Sequence, residues 1–142
     1  MKVIHVTPSY KPAYTYGGPT VSISSLCEAL VENHCEIHVL TTTANGKNRL
    51  AESQSPKLVD GVPVRYFKSL IAGNIHISLK LLWQLRLELR KSKVVVHIHS
   101  WWNATSIFSC IIAKHLKRKV ILSPRGMLTA YSFNNRHKLL KW

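Results

Sequence analysis

The sequence predicts an α/β domain in which a parallel β-sheet carries helices on both faces. Short apolar runs, KVIHVT (2–7), EIHVLTTT (36–43), VVVHI (94–98) and KVILS (119–123), recur along the chain, and helix-forming segments stand between them. Strands that alternate with helices in this way are joined by right-handed crossovers, which cover both faces of a parallel sheet. The length of 142 residues is that of one ordinary domain with a real core.

The elements follow in order. Residues 2–7 read as a buried strand, and Pro8 opens a loop over 8–19. Thr20 or Ser22 is the expected cap of a helix over 21–33, with Ile23, Leu26, Cys27 and Leu30 on one face. Asn33 or His34 is suited to the left-handed turn that ends it. The strand 36–43 comes next, then a polar stretch, 44–57, expected to be a mobile loop. In KLVDGVPVRYF (57–67) two short strands flank Asp60-Gly61, a hairpin turn signal. Segment 75–92 is ambiguous, because Trp83, Leu85, Leu87 and Leu89 alternate as in a strand. Its length and its Leu, Lys, Arg and Gln content favour a helix. After strand 94–98, Asn103 is placed to cap a helix over 104–116 with Ala104, Phe108, Ile111 and Ile112 on one face. Strand 119–123 leads into a loop at 124–133 and a helical segment at 135–142.

Composition narrows the function classes. Hydrophobic residues make up 46% and charged residues 18%, a globular balance. No apolar run reaches the ~18 residues of a membrane span, and the start, MKVIHVTPSY, turns polar too early for a signal peptide. A cytosolic location is the expectation. Cys27, Cys35 and Cys110 show no zinc or redox spacing, which suits free thiols. Twenty Lys and Arg against six acids give a net charge of +14. Such a surface attracts phosphate-bearing partners: nucleic acid, anionic lipid or sugar nucleotides. Nucleic acid is the weaker reading, since the basic residues are spread along the chain and no recognition motif occurs.

In an open parallel sheet, ligands bind beyond the carboxyl ends of the strands. Three groups of residues lie there. Tyr16-Gly17-Gly18-Pro19 precedes a helix, where paired glycines let a ligand approach the backbone and the helix start favours an anion. The alternative is a loop that needs positive φ twice. G-x-G-x-x-G and G-x-x-x-x-G-K-[ST] are both absent, so neither a dinucleotide fingerprint nor a P-loop is read. In His97-Ile98-His99-Ser100-Trp101-Trp102-Asn103, the two histidines share a strand face, and His99 ends the strand. His99 is either a ligand contact or a structural histidine; the tryptophans either stack on a sugar or pack in the core. A metal is not expected, because H-x-H lacks an evident third ligand. In Ser123-Pro124-Arg125-Gly126, an arginine at a strand end suits phosphate, against the plain reading of a surface residue beside a turn.

Taken in order, KVIHVTPSYKPAYTYGGP, EIHVLTTT, VVVHIHSWWN and KVILSPRGML resemble glycosyltransferase family 4, of the GT-B class. The resemblance runs the length of the chain, and S-P-R-G-M-L is its most specific piece. It implies that residues 1–142 are the N-terminal, acceptor-side, Rossmann-like half of a two-domain fold. The family transfers sugar with retention of configuration from a nucleotide sugar, a substrate rather than a cofactor. By position, the resemblance implies that Gly17 and Gly18 approach the donor diphosphate. His99 is implied as the catalytic contact at the donor sugar, and Arg125 as a residue lining the cleft near the phosphates or the acceptor. Tyr16, Trp101, Trp102 and Asn103 are expected on the acceptor or sugar side. The acceptor is expected to be a glycan or lipid-linked, with an anionic membrane surface as a further partner.

Two departures stand out. His34-Cys35 replace the Gly-His usual after the first helix, a local capping change. Trp142 falls inside an expected helix, so the domain is expected to continue and the nucleotide-sugar domain to lie outside the chain. On that reading the 142 residues are inactive alone, whether as a fragment, a remnant or one subunit of a split enzyme; the alternative from another class is a basic non-catalytic binding module for nucleic acid or anionic surfaces. A glycosidase needs two facing carboxylates, and the acids Glu28, Glu32, Glu36, Glu52, Asp60 and Glu88 suggest no such pair.

Overall fold

The computed structural model describes residues 2–53, 55–70 and 77–126. Its main sheet has six strands: β1 (Val3–Thr7), β2 (Ile37–Thr42), β5 (Lys57–Val59), β6 (Val62–Phe67), β7 (Val95–His99) and β8 (Lys119–Ser123). They are ordered β5-β6-β2-β1-β7-β8. All neighbours are parallel except β5 and β6, the hairpin around Asp60-Gly61, whose φ values of +50° and +78° give the twist two antiparallel strands require. Helix α1 (Gly18–Glu32) covers one face, and α2 (Leu79–Lys91) and α3 (Ala104–His115) cover the other. The α/β architecture with helices on both faces is the one the sequence predicts. Among the described residues, no helix is long and apolar enough to cross a membrane.

The alternation of side chains along each strand builds two cores. Ile4 and Val6 of β1, Leu40 of β2, Phe67 of β6, and Val96 and Ile98 of β7 meet Leu81, Leu85 and Leu89 of α2. On the other face, Ile37, Val39, Val64 and Tyr66 meet Ile23 and Cys27 of α1, with Tyr10 beneath them. Spacing of three and four residues therefore wins in α2 over the apparent alternation: Leu85 and Leu89 are buried, whereas Trp83 is 64% exposed.

Several local expectations change. Helix α1 starts at Gly18, and its cap is Gly17, so Thr20 and Ser22 lie within its first turns. Pro19, with φ already set for a helix, fits the first turn, and Gly17 takes the positive φ of +63° that the entry needs. Thr20 is instead buried against the Ser9 hydroxyl at 3.2 Å. His34, at φ +58°, supplies the left-handed turn after α1. The expected loop 44–57 contains an antiparallel pair, β3 (Ala44–Asn45) and β4 (Asn48–Arg49), and the start of β5.

Asn103 does cap α3, its Oδ1 accepting from the Ser106 amide at 2.9 Å, but the buried face differs from expectation. Thr105, Ser106, Ser109 and Ala113 are buried, while Phe108 and Ile111 are 46% and 55% exposed. Small side chains let α3 lie close to the sheet, and that geometry outweighs side-chain hydropathy. Residues 75 and 76 of the predicted α2 segment, and 127–142 with the expected final helix, lie outside the described residues.

Candidate functional site

Strand register assembles the site. β1 pairs with β7 so that His5 lies beside His97, and β7 pairs with β8 so that His99 lies beside Ser123. The three histidines fall on the face opposite Val96 and Ile98, because side chains alternate across a strand. His5 and His99 are fully buried and their rings stack at 5.3 Å between centroids. The His97 ring lies 4.1 Å from that of His99. His5 Nδ1 and His99 Nε2 are 3.0 Å apart, and His97 Nε2 reaches the Ser123 hydroxyl at 2.8 Å.

Arg125 closes the group. It follows β8 with φ +53°, and its guanidinium donates to His99 Nδ1 at 3.3 Å and to the Ser22 hydroxyl of α1 at 3.1 Å. Arginine is always charged and only donates. His99 Nδ1 must therefore be the bare nitrogen, which leaves the proton on Nε2 to be donated to His5 Nδ1. His5 then carries its own proton on Nε2, a buried atom with no partner. Burial first, and then the neighbouring His97 and Arg125, push the His5 pKa down to about 4. Burial likewise holds His99 far below the ordinary histidine range, with His97, His5 and Arg125 adding to the effect. His97 is lowered by burial and Arg125. At neutral pH the site is three neutral imidazoles beside one permanent cation.

The third metal-ligand candidate that the sequence does not reveal is His5, since ligand nitrogens of His5, His97 and His99 lie within 4.8 Å of one another. The donor set suits a borderline divalent ion. Arg125 opposes one. A metal on His99 Nε2 requires the proton on Nδ1, where it would face the guanidinium donor, and two cations would share the pocket. These residues as arranged do not fit a metal.

The glycine loop ends at the same edge of the sheet. Gly17 and Gly18 are exposed, and a Cβ at either would meet nothing within 4 Å. Only Gly17 needs the glycine conformation, so the expectation of two positive φ values reduces to one. Tyr16 is turned toward the β3–β4 turn, where its hydroxyl accepts from the Gly46 amide at 3.0 Å. Trp101 and Trp102 are half-buried just after β7. Both polar atoms of the Asn103 side chain are spent on Ser106, at 2.9 Å each. The structure thus brings His99, Arg125 and the start of α1 together, and commits Asn103 to its helix. His5 and Ser22 join them unannounced by any local motif.

Carboxylates take no part. Glu28 and Asp60 do converge, but on Lys11 Nζ, at 2.6 and 2.9 Å. The shared ammonium ties the loop after β1 to α1 and the edge hairpin, which is not the arrangement of an acid and a nucleophile.

The model of a protein family described as Glycosyltransferase Family 4 matches residues 16–142. No curated protein and no solved structure matches the chain.

Proposed function

The chain belongs to glycosyltransferase family 4, and from that premise we propose that it is the acceptor-side domain of a retaining glycosyltransferase, moving a sugar from a nucleotide sugar to a glycan or lipid-linked acceptor. The observation that carries this reading is Arg125, a guanidinium braced between His99 and Ser22 at the start of α1. The leaving group of such a transfer is a diphosphate, whose charge grows as the bond to the anomeric carbon breaks. A fixed cation beside a helix N-terminus stabilises that charge without reorganising at the moment of reaction. Exposed Gly17 and Gly18 let the phosphates approach the backbone.

His99 lies beside the reacting sugar in this reading. Both of its ring nitrogens are engaged, so its contribution to catalysis runs through the aim of Arg125. Trp101, Trp102 and Tyr16 border the acceptor. A second domain, in cis or in trans, holds the nucleotide, and the 142 residues alone bind nucleotide sugars weakly and transfer nothing. Reaction takes place at the cytoplasmic face of a membrane. There α2 offers exposed Leu79 beside Arg86 and Arg90.

Steady-state kinetics on a protein that pairs this domain with a nucleotide-sugar domain tests the assignment. Arg125→Ala lowers kcat about a hundredfold, the usual loss for one preorganised contact, with a smaller change in donor KM. His99→Ala has the same signature. His97→Ala lowers the melting temperature more than kcat. Normal kcat in a folded Arg125→Ala protein would sink the reading.

A further inference from the structure

A second constellation lies away from the histidines, against β6. Strands β6 and β7 are three positions apart in the sheet, roughly 14 Å at the usual strand spacing. Here Glu52, Arg65, Phe67, Lys80, Trp83 and Gln84 line an open cavity of about 450 Å³. That size is in the range of small-molecule sites. Arg65 and Phe67 point to the same side of β6, and the cavity lies between them and the first turns of α2.

Arg65 is the unusual member. It is half-buried, its guanidinium lies 5.1 Å over the Phe67 ring, and its Nε is enclosed without a partner. Among the described residues its side chain makes no hydrogen bond and no ion pair. A partly desolvated cation without an acceptor is costly, and a fork of donors matches a carboxylate or phosphate. Lys80 adds a second cation at the rim, held by Glu52 at 3.0 Å. Trp83, 64% exposed, offers a flat apolar surface, and Glu52 and Gln84 offer acceptors for hydroxyls. An aromatic plate, hydroxyl partners and an unspent guanidinium in one cavity match one class of ligand.

We propose that this cavity is a binding subsite for an acidic saccharide, with its ring on Trp83 and its carboxylate or phosphate on Arg65 and Lys80. The saccharide half rests on the acceptor reading above; the anion half stands on Arg65 independently of it.

The chain itself, labelled with nitrogen-15, is the test object. The Trp83 indole signal, identified by its loss in Trp83→Phe, is followed during titration with glucuronate, glucose 6-phosphate, glucose and inorganic phosphate. Both acidic sugars give a saturable shift, at least about tenfold tighter than glucose, as a charge-assisted contact implies. The tighter of the two names carboxylate or phosphate as the source of charge. Arg65→Gln brings the acidic sugars to the level of glucose. Lys80→Ala, on an exposed side chain, weakens them about threefold. Arg125→Ala changes them by less than about twofold, being remote, so this outcome is separable from any failure at the histidine site. Glucose binding as tightly as the acidic sugars overturns the anion half. Inorganic phosphate binding as tightly as the sugar phosphate overturns the saccharide half. No saturable shift with any probe overturns the proposal.

Discussion

The two faces of β1 and β7 are made from the same residues in alternation, and they do opposite things. Toward α2 and α3 the strands present Ile4, Val6, Val96 and Ile98, which are almost wholly buried and make no polar demands. Toward the other side they present His5 and His99, fully buried, and His97, half-buried, each ring with a side-chain hydrogen-bond partner. One backbone serves both faces, and only the period of two separates them. The apolar face stabilises the sheet at any pH. The histidine face is a polar layer kept neutral by its surroundings, and it contributes only as long as it stays neutral.

Cutting into the apolar face gives the largest effect on stability. Leu85→Ala removes a fully buried side chain of α2 and should cost about 2–5 kcal/mol, measured as a shift in the urea midpoint at unchanged slope. It should leave the pH dependence of stability untouched.

That pH dependence belongs to the other face. The folded state lowers the pKa of His5 to about 4 and lowers those of His97 and His99, whereas the unfolded chain has ordinary histidines near 6.5. Between 6.5 and about 4 the unfolded state therefore binds more protons, so stability is full above 6.5 and is lost as the pH falls. The slope is roughly 1.4 kcal/mol per pH unit for each histidine. Urea unfolding at a series of pH values should show it, and His5→Gln should remove about one proton from the slope. A flat profile from pH 7 to 5 would contradict the neutral layer.

The smallest effect sharpens the boundary between the faces. Asn103→Ala should cost about 1 kcal/mol, the usual value of an N-cap, in thermal melts. Ser106 also donates to the His99 carbonyl at 3.1 Å. In a protein that pairs this domain with a nucleotide-sugar domain, the same substitution should therefore lower kcat slightly, whereas Leu85→Ala should not.

What could be read in advance follows the range of the interactions concerned. The strands β1, β2, β7 and β8, the Asp60-Gly61 turn and the Asn103 cap are set by neighbours in sequence, and each lies within a residue or two of its predicted place. The buried face of α3 depends on how closely a helix can approach a sheet, and hydropathy chooses Phe108 and Ile111 where packing chooses Ser109 and Ala113. His5 joins His99 across 94 positions of chain, a contact that needs the β1–β7 register. The alternating pattern of KVIHVT already placed His5 opposite Ile4 and Val6. That is the signal that could have exposed it. The Arg65 cavity needs β6, α2 and the loop at Glu52 together, and no local pattern announces it.

The one-way order of hydrogen bonds from Arg125 through His99 to His5 has a consequence for proton traffic. A chain of imidazoles conducts protons by handing one in at an end and another out at the other, after which every link reverses. Here one terminus is clamped by a guanidinium that neither takes nor releases a proton, and the other is a sealed N–H. The row cannot reverse, so it insulates where a row of free histidines would conduct. At this edge of the sheet the row therefore offers fixed charge and fixed geometry, and no path for a proton along its own length.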